Sequence, residues 1–164
     1  MDKIIDIVSK NGVLLLNISP KADGTIPAVQ RTSLLALGAW LEKNGEAIYS
    51  TRPWIEAAEG PTAEPGGGYS DHKKFLALEY TAKDIRYTAS KDGKTVYAIL
   101  LGVPEAGSQV ELESFAGLDA KVKSVSLVSG VPTQWKQTGD GLEINVPAAV
   151  KDCVEATVFR ISLF

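Results

Sequence analysis

The chain has 164 residues, a formal net charge of −3, 45% hydrophobic residues and 23% charged residues, which excludes a disordered chain and allows one domain or two small ones. Its apolar runs are far shorter than the ~20 residues of a membrane helix, no export signal is predicted, and scattered Lys and Arg argue against nucleic-acid or membrane partners. One Cys and one His exclude an internal disulfide and make a zinc site of the usual spacing unexpected.

The chain begins with an amphipathic pattern followed by a continuous apolar run. Helical spacing of Ile4, Ile5 and Val8 predicts a helix over residues 2–10, which Asn11-Gly12 ends. The run Val13-Leu-Leu-Leu-Asn-Ile18 lies between Gly12 and Pro20 and has no polar alternation. It predicts a strand that is buried on both faces, as in a parallel sheet.

A second helix is predicted from Pro27 to Asn44, because Pro suits a first helical position and Asn44-Gly45 is a stop signal. Its apolar residues recur at intervals of three to four, so Trp40 is expected in a core. The resulting helix–strand–helix unit has no second strand of its own kind nearby, which is typical of a piece of a larger α/β domain.

Residues 51–72 are rich in Pro and Gly and predict a linker between two domains. From residue 73 onward, short β-branched and aromatic segments alternate with turn signals. Seven strands are predicted there, which indicates an antiparallel β-sandwich: 75–79, 84–89, 95–101, 109–114, 123–128, 141–146 and 154–162. The predicted fold class is α+β.

Three stretches, 6–27, 40–49 and 51–54, resemble glycoside hydrolase family 29, the α-L-fucosidases, and the likeness continues through 84–88 and 95–102. The resemblance implies that residues 1–50 are the C-terminal end of a (β/α)8-like catalytic barrel, of which 13–18 would be the last strand. Residues 51–72 would be the linker and 73–164 the appended sandwich. Val13 and Ser19 depart from the family's usual Asn and Gly.

The family resemblance implies retaining hydrolysis of α-L-fucosides in glycans by the parent enzyme, with a fucosylated glycan as its partner. Such hydrolysis needs two carboxyl groups about 5–5.5 Å apart. In the family, the nucleophile, the acid/base and the His-rich pocket precede the Ser9-Lys-Asn-Gly12 motif. No catalytic residue, metal or cofactor is therefore predicted here, and the chain alone is expected to be inactive. Family members are commonly secreted, periplasmic or lysosomal, and the compartment stays open.

Three aromatic residues, Trp54, Tyr69 and Trp135, are candidate sugar-stacking platforms, because an aromatic ring offers a flat apolar face. Packing between the barrel remnant and the sandwich is the favoured interpretation for each. Asp23 lies in a loop at the end of the barrel where active sites are found, although a simple turn at Asp23-Gly24 is favoured. Asn17 is expected to satisfy loop backbone groups near the rim.

Two further residues are considered and given no catalytic role. His72 has no Ser or Cys nucleophile at a recognisable spacing and is interpreted as a solvated linker residue. Cys153 has no activating neighbours and is interpreted as a small hydrophobe.

Two alternatives to an inactive fragment are kept. In the first alternative, the chain is a carbohydrate-binding or accessory β-sandwich module. In the second, it is one half of a split enzyme. In the second case a neighbouring chain docks on residues 13–18 and on the first helix, and the same unpaired strand favours self-association.

Overall fold

The structure is a computed structural model that describes residues 1–62 and 72–164. In this part of the chain the α-helices are α1 (Asp2–Ser9), α2 (Ala28–Asn44) and α3 (His72–Ala77). Single 3-10 turns occur at Gly45–Ala47, Glu113–Phe115 and Ala148–Asp152. The predictions of α1 and α2 are confirmed to within two residues at each end.

The described strands form two antiparallel sheets. In chain order they are β1 (Thr51–Glu59), β2 (Ile85–Ser90), β3 (Thr95–Leu100), β4 (Gln109–Leu112), β5 (Val122–Leu127), β6 (Trp135–Gln137), β7 (Leu142–Asn145) and β8 (Thr157–Leu163). The larger sheet has the order β1-β2-β3-β8-β5 and the smaller has the order β4-β7-β6. The predicted α+β class with an antiparallel sandwich is confirmed.

The main core lies between the two sheets, where alternate residues of each strand point inward. Phe159 on β8 and Phe115 after β4 are fully buried there. The same core contains Tyr87 of β2 and Leu142 and Ile144 of β7. Both sheets therefore contribute to one dry layer of side chains.

A second, smaller core covers the opposite face of the larger sheet. Ile5 of α1 and Trp40 of α2 pack there against Tyr97, Ile99 and Val158. The Trp40 indole N–H donates to the Ala156 carbonyl at 3.3 Å, so its polar atom is satisfied. The expectation that Trp40 is a core residue is confirmed.

The end of α1 is a Schellman motif, as the predicted stop at Asn11-Gly12 requires. Asn11 has a φ of +62°, its amide donates to the Val8 carbonyl at 3.0 Å, and the Gly12 amide donates to the Ile7 carbonyl at 2.8 Å. A Cβ at Gly12 would lie 2.8 Å from that carbonyl oxygen, so a side chain does not fit. The motif turns the chain from α1 directly into residues 13–18.

Residues 13–18 form no strand, and all six are exposed. The prediction that they are buried is wrong for these 164 residues, because no neighbouring parallel strand is present among the described residues. An extended backbone needs a partner strand to complete its hydrogen bonds. Apolar residues alone do not supply one.

The predicted linker and the first predicted sandwich strand also differ from the structure. Residues 51–59, assigned to the linker, form β1 and pair with β2. Pro53 is tolerated there because β1 is the edge of the sheet and one side of the strand donates no ladder bond. The predicted strand at 75–79 coincides instead with α3 and the residues after it. The remainder of the predicted linker, 63–71, lies outside the described residues.

Candidate functional site

The most unusual surface of the described chain is residues 13–18, called here the 13–18 segment. The side chains of Val13 and Leu15 are 94% and 85% exposed. No backbone group of the segment is paired with another strand among the described residues. Both the apolar side chains and the backbone edge are therefore available to a partner.

A groove of about 540 Å³ lies between α1, the 13–18 segment and α2. Its lining is mostly apolar, and the apolar side chains include Ile4, Leu16, Ile18, Val29, Leu34 and Leu37. Glu155 also lines it. An apolar surface of this kind is typical of an interface with another apolar surface.

The first half of α2 is exposed even along its apolar stripe. Val29 is 79% exposed, whereas Trp40, three turns later, is buried. Only the C-terminal end of α2 is thus packed on the sandwich, and the rest of the helix extends the apolar groove. Val29 and Leu35 are therefore left uncovered by the part of the chain that the structure describes.

The loop after the 13–18 segment holds Asp23 in a turn. Its carboxylate accepts hydrogen bonds from the Thr25 hydroxyl at 2.7 Å and the Thr25 amide at 2.9 Å. These two bonds, the hydroxyl first, lower the pKa of Asp23 below its ordinary value. The carboxylate is exposed and engaged by its own turn.

The same loop is attached to α2. The Ser19 amide donates to the Gln30 side chain at 3.0 Å, and Asn17 lines the groove.

The aromatic residues predicted as sugar platforms are not brought together. Trp54 lies on β1 with ring centroids 4.5 Å from Phe115 and 5.2 Å from Tyr87, so one part of its ring system belongs to the core. Trp135 lies on β6 and packs partly against the same core. Tyr69 lies outside the described residues.

The two tryptophans lie at opposite edges of the sandwich. Glu59, at the end of β1, accepts hydrogen bonds from the turn that follows β4. At the other edge, Ser126 of β5 forms an isolated bridge with Pro132, which precedes β6. Trp54 is therefore at the β1/β4 edge and Trp135 at the β5/β6 edge.

A depression of about 420 Å³ contains three carboxylates, of Glu59, Glu111 and Glu113. Both Glu59 oxygens are already engaged: they accept from the Glu113 amide at 3.2 Å, the Ser114 amide at 2.7 Å and the Ser114 hydroxyl. Glu59 thus caps the 3-10 turn at 113–115. Its neighbour Tyr87 is buried, which together with the charge of Glu59 raises the phenol pKa well above its ordinary value.

Asp84 is a buried carboxylate at the start of β2 with four hydrogen bonds from two threonines. The Thr81 and Thr62 amides donate at 2.8 and 2.9 Å, and their hydroxyls donate at 3.0 Å each. Burial raises the pKa of Asp84, but these hydrogen bonds outweigh it and the net pKa is lowered. The role of Asp84 is to fasten two loops to the sheet.

A buried ion pair that sequence reasoning did not predict joins α1 to the larger sheet. Arg86 Nε on β2 lies 2.5 Å from Asp6 Oδ1, and both side chains are 3% exposed. Lys10 Nζ contacts the same carboxylate oxygen at 2.8 Å. The available signal was that Asp6 is next to Ile5 on the buried side of α1, although the identity of its partner depends on the tertiary fold.

The remaining candidates carry no chemistry that the structure reveals. Cys153 is half-buried, and burial raises the pKa of its thiol. His72 is the first residue of α3. Within residues 1–62 and 72–164, no group of three His, Cys, Asp or Glu side chains is placed to hold a metal ion. No helix in that part of the chain has the length and apolarity to cross a membrane.

Comparison with family models divides the chain into two matched parts. Residues 1–46 match the family described as alpha-L-fucosidase, and residues 79–162 match the alpha-L-fucosidase C-terminal domain. The first part contains α1, the 13–18 segment and α2. The second contains the strands from β2 to β8.

Individual relatives agree with the family models. The chain is 31% identical to the tissue alpha-L-fucosidase of Bos taurus, over 90% of this chain and 26% of that protein. It is 32% identical to the human tissue enzyme, over 95% of this chain and 28% of that protein. The Thermotoga maritima alpha-fucosidase structure in complex with fucose superposes with a TM-score of 0.72 at 30% identity, over 98% of this chain and 33% of that one. The chain thus spans about a quarter to a third of these relatives.

Proposed function

The chain belongs to the α-L-fucosidase family, and we propose that its 164 residues serve fucoside hydrolysis as the C-terminal part of such an enzyme, without activity of their own. Residues 1–50 supply the last strand and closing helix of a catalytic barrel. The described residues from β1 onward, 51–62 and 72–164, supply the appended sandwich. The parent enzyme releases L-fucose from glycans with retention of configuration.

The observation that carries this proposal is the uncovered 13–18 segment beside the apolar groove. Its backbone makes no bonds to another strand and its apolar side chains are exposed, as expected for a barrel strand without its neighbours. The bovine relative is about four times as long as the part of it that these residues match, because the matched share is 26%. We infer that this further chain is the partner that covers the segment.

The chemistry of retention explains why the chain alone is expected to be inactive. A nucleophile and an acid/base must face one bond from about 5–5.5 Å apart, and one barrel strand cannot place both. Asp23 is at the correct end of the segment, but its own turn engages it. Glu59 caps a 3-10 turn in the sandwich.

An activity assay with an aryl α-L-fucoside tests the proposal directly. The purified chain should release fucose no faster than a control without protein, and added divalent metal should not change this result. Turnover by the chain would contradict the proposal. In that event Asp23→Asn and Glu59→Gln, compared as a matched pair, would show which carboxylate is responsible.

A second candidate function is glycan binding by the sandwich, which the position of Trp135 on the edge strand β6 favours. Its ring is half-buried, so one part of it remains accessible to a sugar. Calorimetry with L-fucose and fucosylated oligosaccharides should show binding that Trp135→Ala abolishes and Trp54→Phe retains. Absence of heat at millimolar sugar would reject this candidate.

A further inference from the structure

We propose that Arg86 is a positioning residue of the C-terminal domain that fixes where the 13–18 segment is held. The effect passes through the buried Arg86–Asp6 ion pair to α1, and from α1 through its rigid C-terminal turn to the segment. That the held segment serves a catalytic barrel rests on the proposed function. That Arg86 controls the position of the segment through α1 does not depend on it.

The first step of the coupling is a charged contact with only one good arrangement. Asp6 and Arg86 lie in the two parts of the chain that different family models match, 80 residues apart. The second Arg86 donor, Nη1, bonds the Ile85 carbonyl at 3.0 Å, so the guanidinium is held by its own strand. A buried charge pair tolerates little displacement, because a separated charge in the interior is costly.

Neighbouring groups restrict α1 further. Tyr80 faces the Arg86 guanidinium at 5.0 Å and the Lys3 ammonium at 4.4 Å. Lys3 also donates to the Leu78 carbonyl at 2.8 Å. Lys3 and Asp6 lie one turn apart on α1 and each contacts a group outside the helix, so these contacts restrict both the rotation and the translation of α1.

The second step is the short, stiff junction between α1 and the segment. The Schellman bonds from Asn11 and Gly12 close the helix within two residues of Val13. Gly12 is packed against Ile7, where a Cβ would come within 2.7 Å of Cγ2. A rotation of α1 would therefore carry the segment with it.

A double-mutant cycle on the intact chain measures the coupling. Arg86→Met and Asp6→Asn should each raise amide hydrogen exchange in residues 5–12 by at least about tenfold, because each breaks the buried contact between α1 and β2. Asp6 keeps its contact with Lys10 in the first variant, and Arg86 keeps the Ile85 carbonyl in the second, but neither contact joins the helix to the sheet. The double variant should exchange about as fast as either single variant, since the pair is lost only once. Amides of β3 serve as the internal reference for global unfolding. Unchanged exchange at α1, or additive effects, would overturn the proposal.

Spin labels test position rather than stability. In a Cys153→Ser background, labels at Leu15→Cys and Lys136→Cys should give a narrow distance distribution, which Arg86→Met broadens and Arg86→Lys partly restores. Arg160→Met is the matched control, because its pair with Glu46 is solvent-exposed and should leave the distribution unchanged. If Arg86→Met does not fold, Asp6→Asn decides. A distribution insensitive to the variants would overturn the proposal and leave the fucosidase assignment intact.

Discussion

The sandwich and the N-terminal region differ in whether the chain covers their apolar side chains. Between β2 and β8 the chain encloses its own core, with Tyr87, Phe115 and Phe159 fully buried. Between residues 13 and 35 the apolar side chains face outward, Val13 and Val29 among them. The difference shows that the sandwich covers its own apolar side chains, whereas the N-terminal region leaves many of its apolar side chains uncovered by the described residues.

The contact between the two regions is also of mixed character. Ile5 and Trp40 are buried in the second core, but beside them lies the Asp6–Arg86 ion pair. A dry core gives stability with little directional preference, while a buried ion pair adds direction. The joint is thus suited to holding a segment in place for a further partner.

The largest contrast between the regions should come from truncating an apolar side chain in each. Phe159→Ala should lower the free energy of unfolding by about 3–5 kcal/mol, because it leaves a cavity in the main core. Val13→Ala, at a position 94% exposed, should change it by less than about 0.5 kcal/mol. Urea denaturation of both variants makes the comparison. Equal effects would show that residue 13 belongs to a core after all.

A second test concerns the hydrogen bonds by which Asp84 holds two loops to the sandwich. Asp84→Asn should destabilise the chain by about 1–3 kcal/mol at pH 7, because four hydrogen bonds to a buried charge are weakened. The folded pKa of Asp84 is lowered, so the stabilisation by its ionised form is present at neutral pH and is lost as the pH falls through that pKa.

The difference in the free energy of unfolding between the native chain and Asp84→Asn should consequently become smaller below about pH 4. Asp92→Asn is the matched control, since that carboxylate is engaged by an exposed turn. A difference that stays constant from pH 7 to pH 3 would contradict the account.

A smaller and more local effect is expected at the junction. Gly12→Ala should lower the free energy of opening of the end of α1 by about 1 kcal/mol, because the new methyl meets the Ile7 carbonyl. The urea midpoint of the sandwich should hardly change. Hydrogen exchange distinguishes local opening of α1 from unfolding of the sandwich. Gly139→Ala provides the comparison, because no atom lies within 4 Å of the new Cβ there.

The smallest effect on stability should come from Leu15→Lys, at less than about 0.5 kcal/mol. Its effect on association should nevertheless be clear. Mass measurements over a range of concentrations should show self-association of the native chain, which a charge on the segment suppresses. A native chain that stays monomeric at every concentration would contradict this expectation.

Much of the fold could be predicted from local signals. The Asn11-Gly12 stop and Pro27 mark helix ends through backbone preferences that do not depend on the rest of the chain. The short apolar stretch from Phe75 onward was assigned to a strand although α3 ends within it, because periodicity alone does not separate helix from strand over so few residues. Pro53 favoured the prediction of a linker over β1, because Pro is tolerated in a strand at the edge of a sheet and not inside it.

The parts that could not be predicted depend on distant partners. The apolar run 13–18 indicates a buried strand, and it is exposed because no strand lies beside it among residues 1–62 and 72–164. The Asp6–Arg86 pair joins residues that no local pattern connects. Trp54 and Trp135 looked equivalent in sequence, and the topology places them at opposite edges.

Hydrogen exchange of the purified chain, read residue by residue, tests most directly that the sandwich is self-sufficient and the N-terminal region is not. The account expects amides of residues 13–18 to exchange at nearly the rate of an unfolded peptide, while those of β3 and β8 exchange only on global unfolding. Protection of 13–18 comparable to that of β8, in a chain shown to be monomeric, would contradict the account.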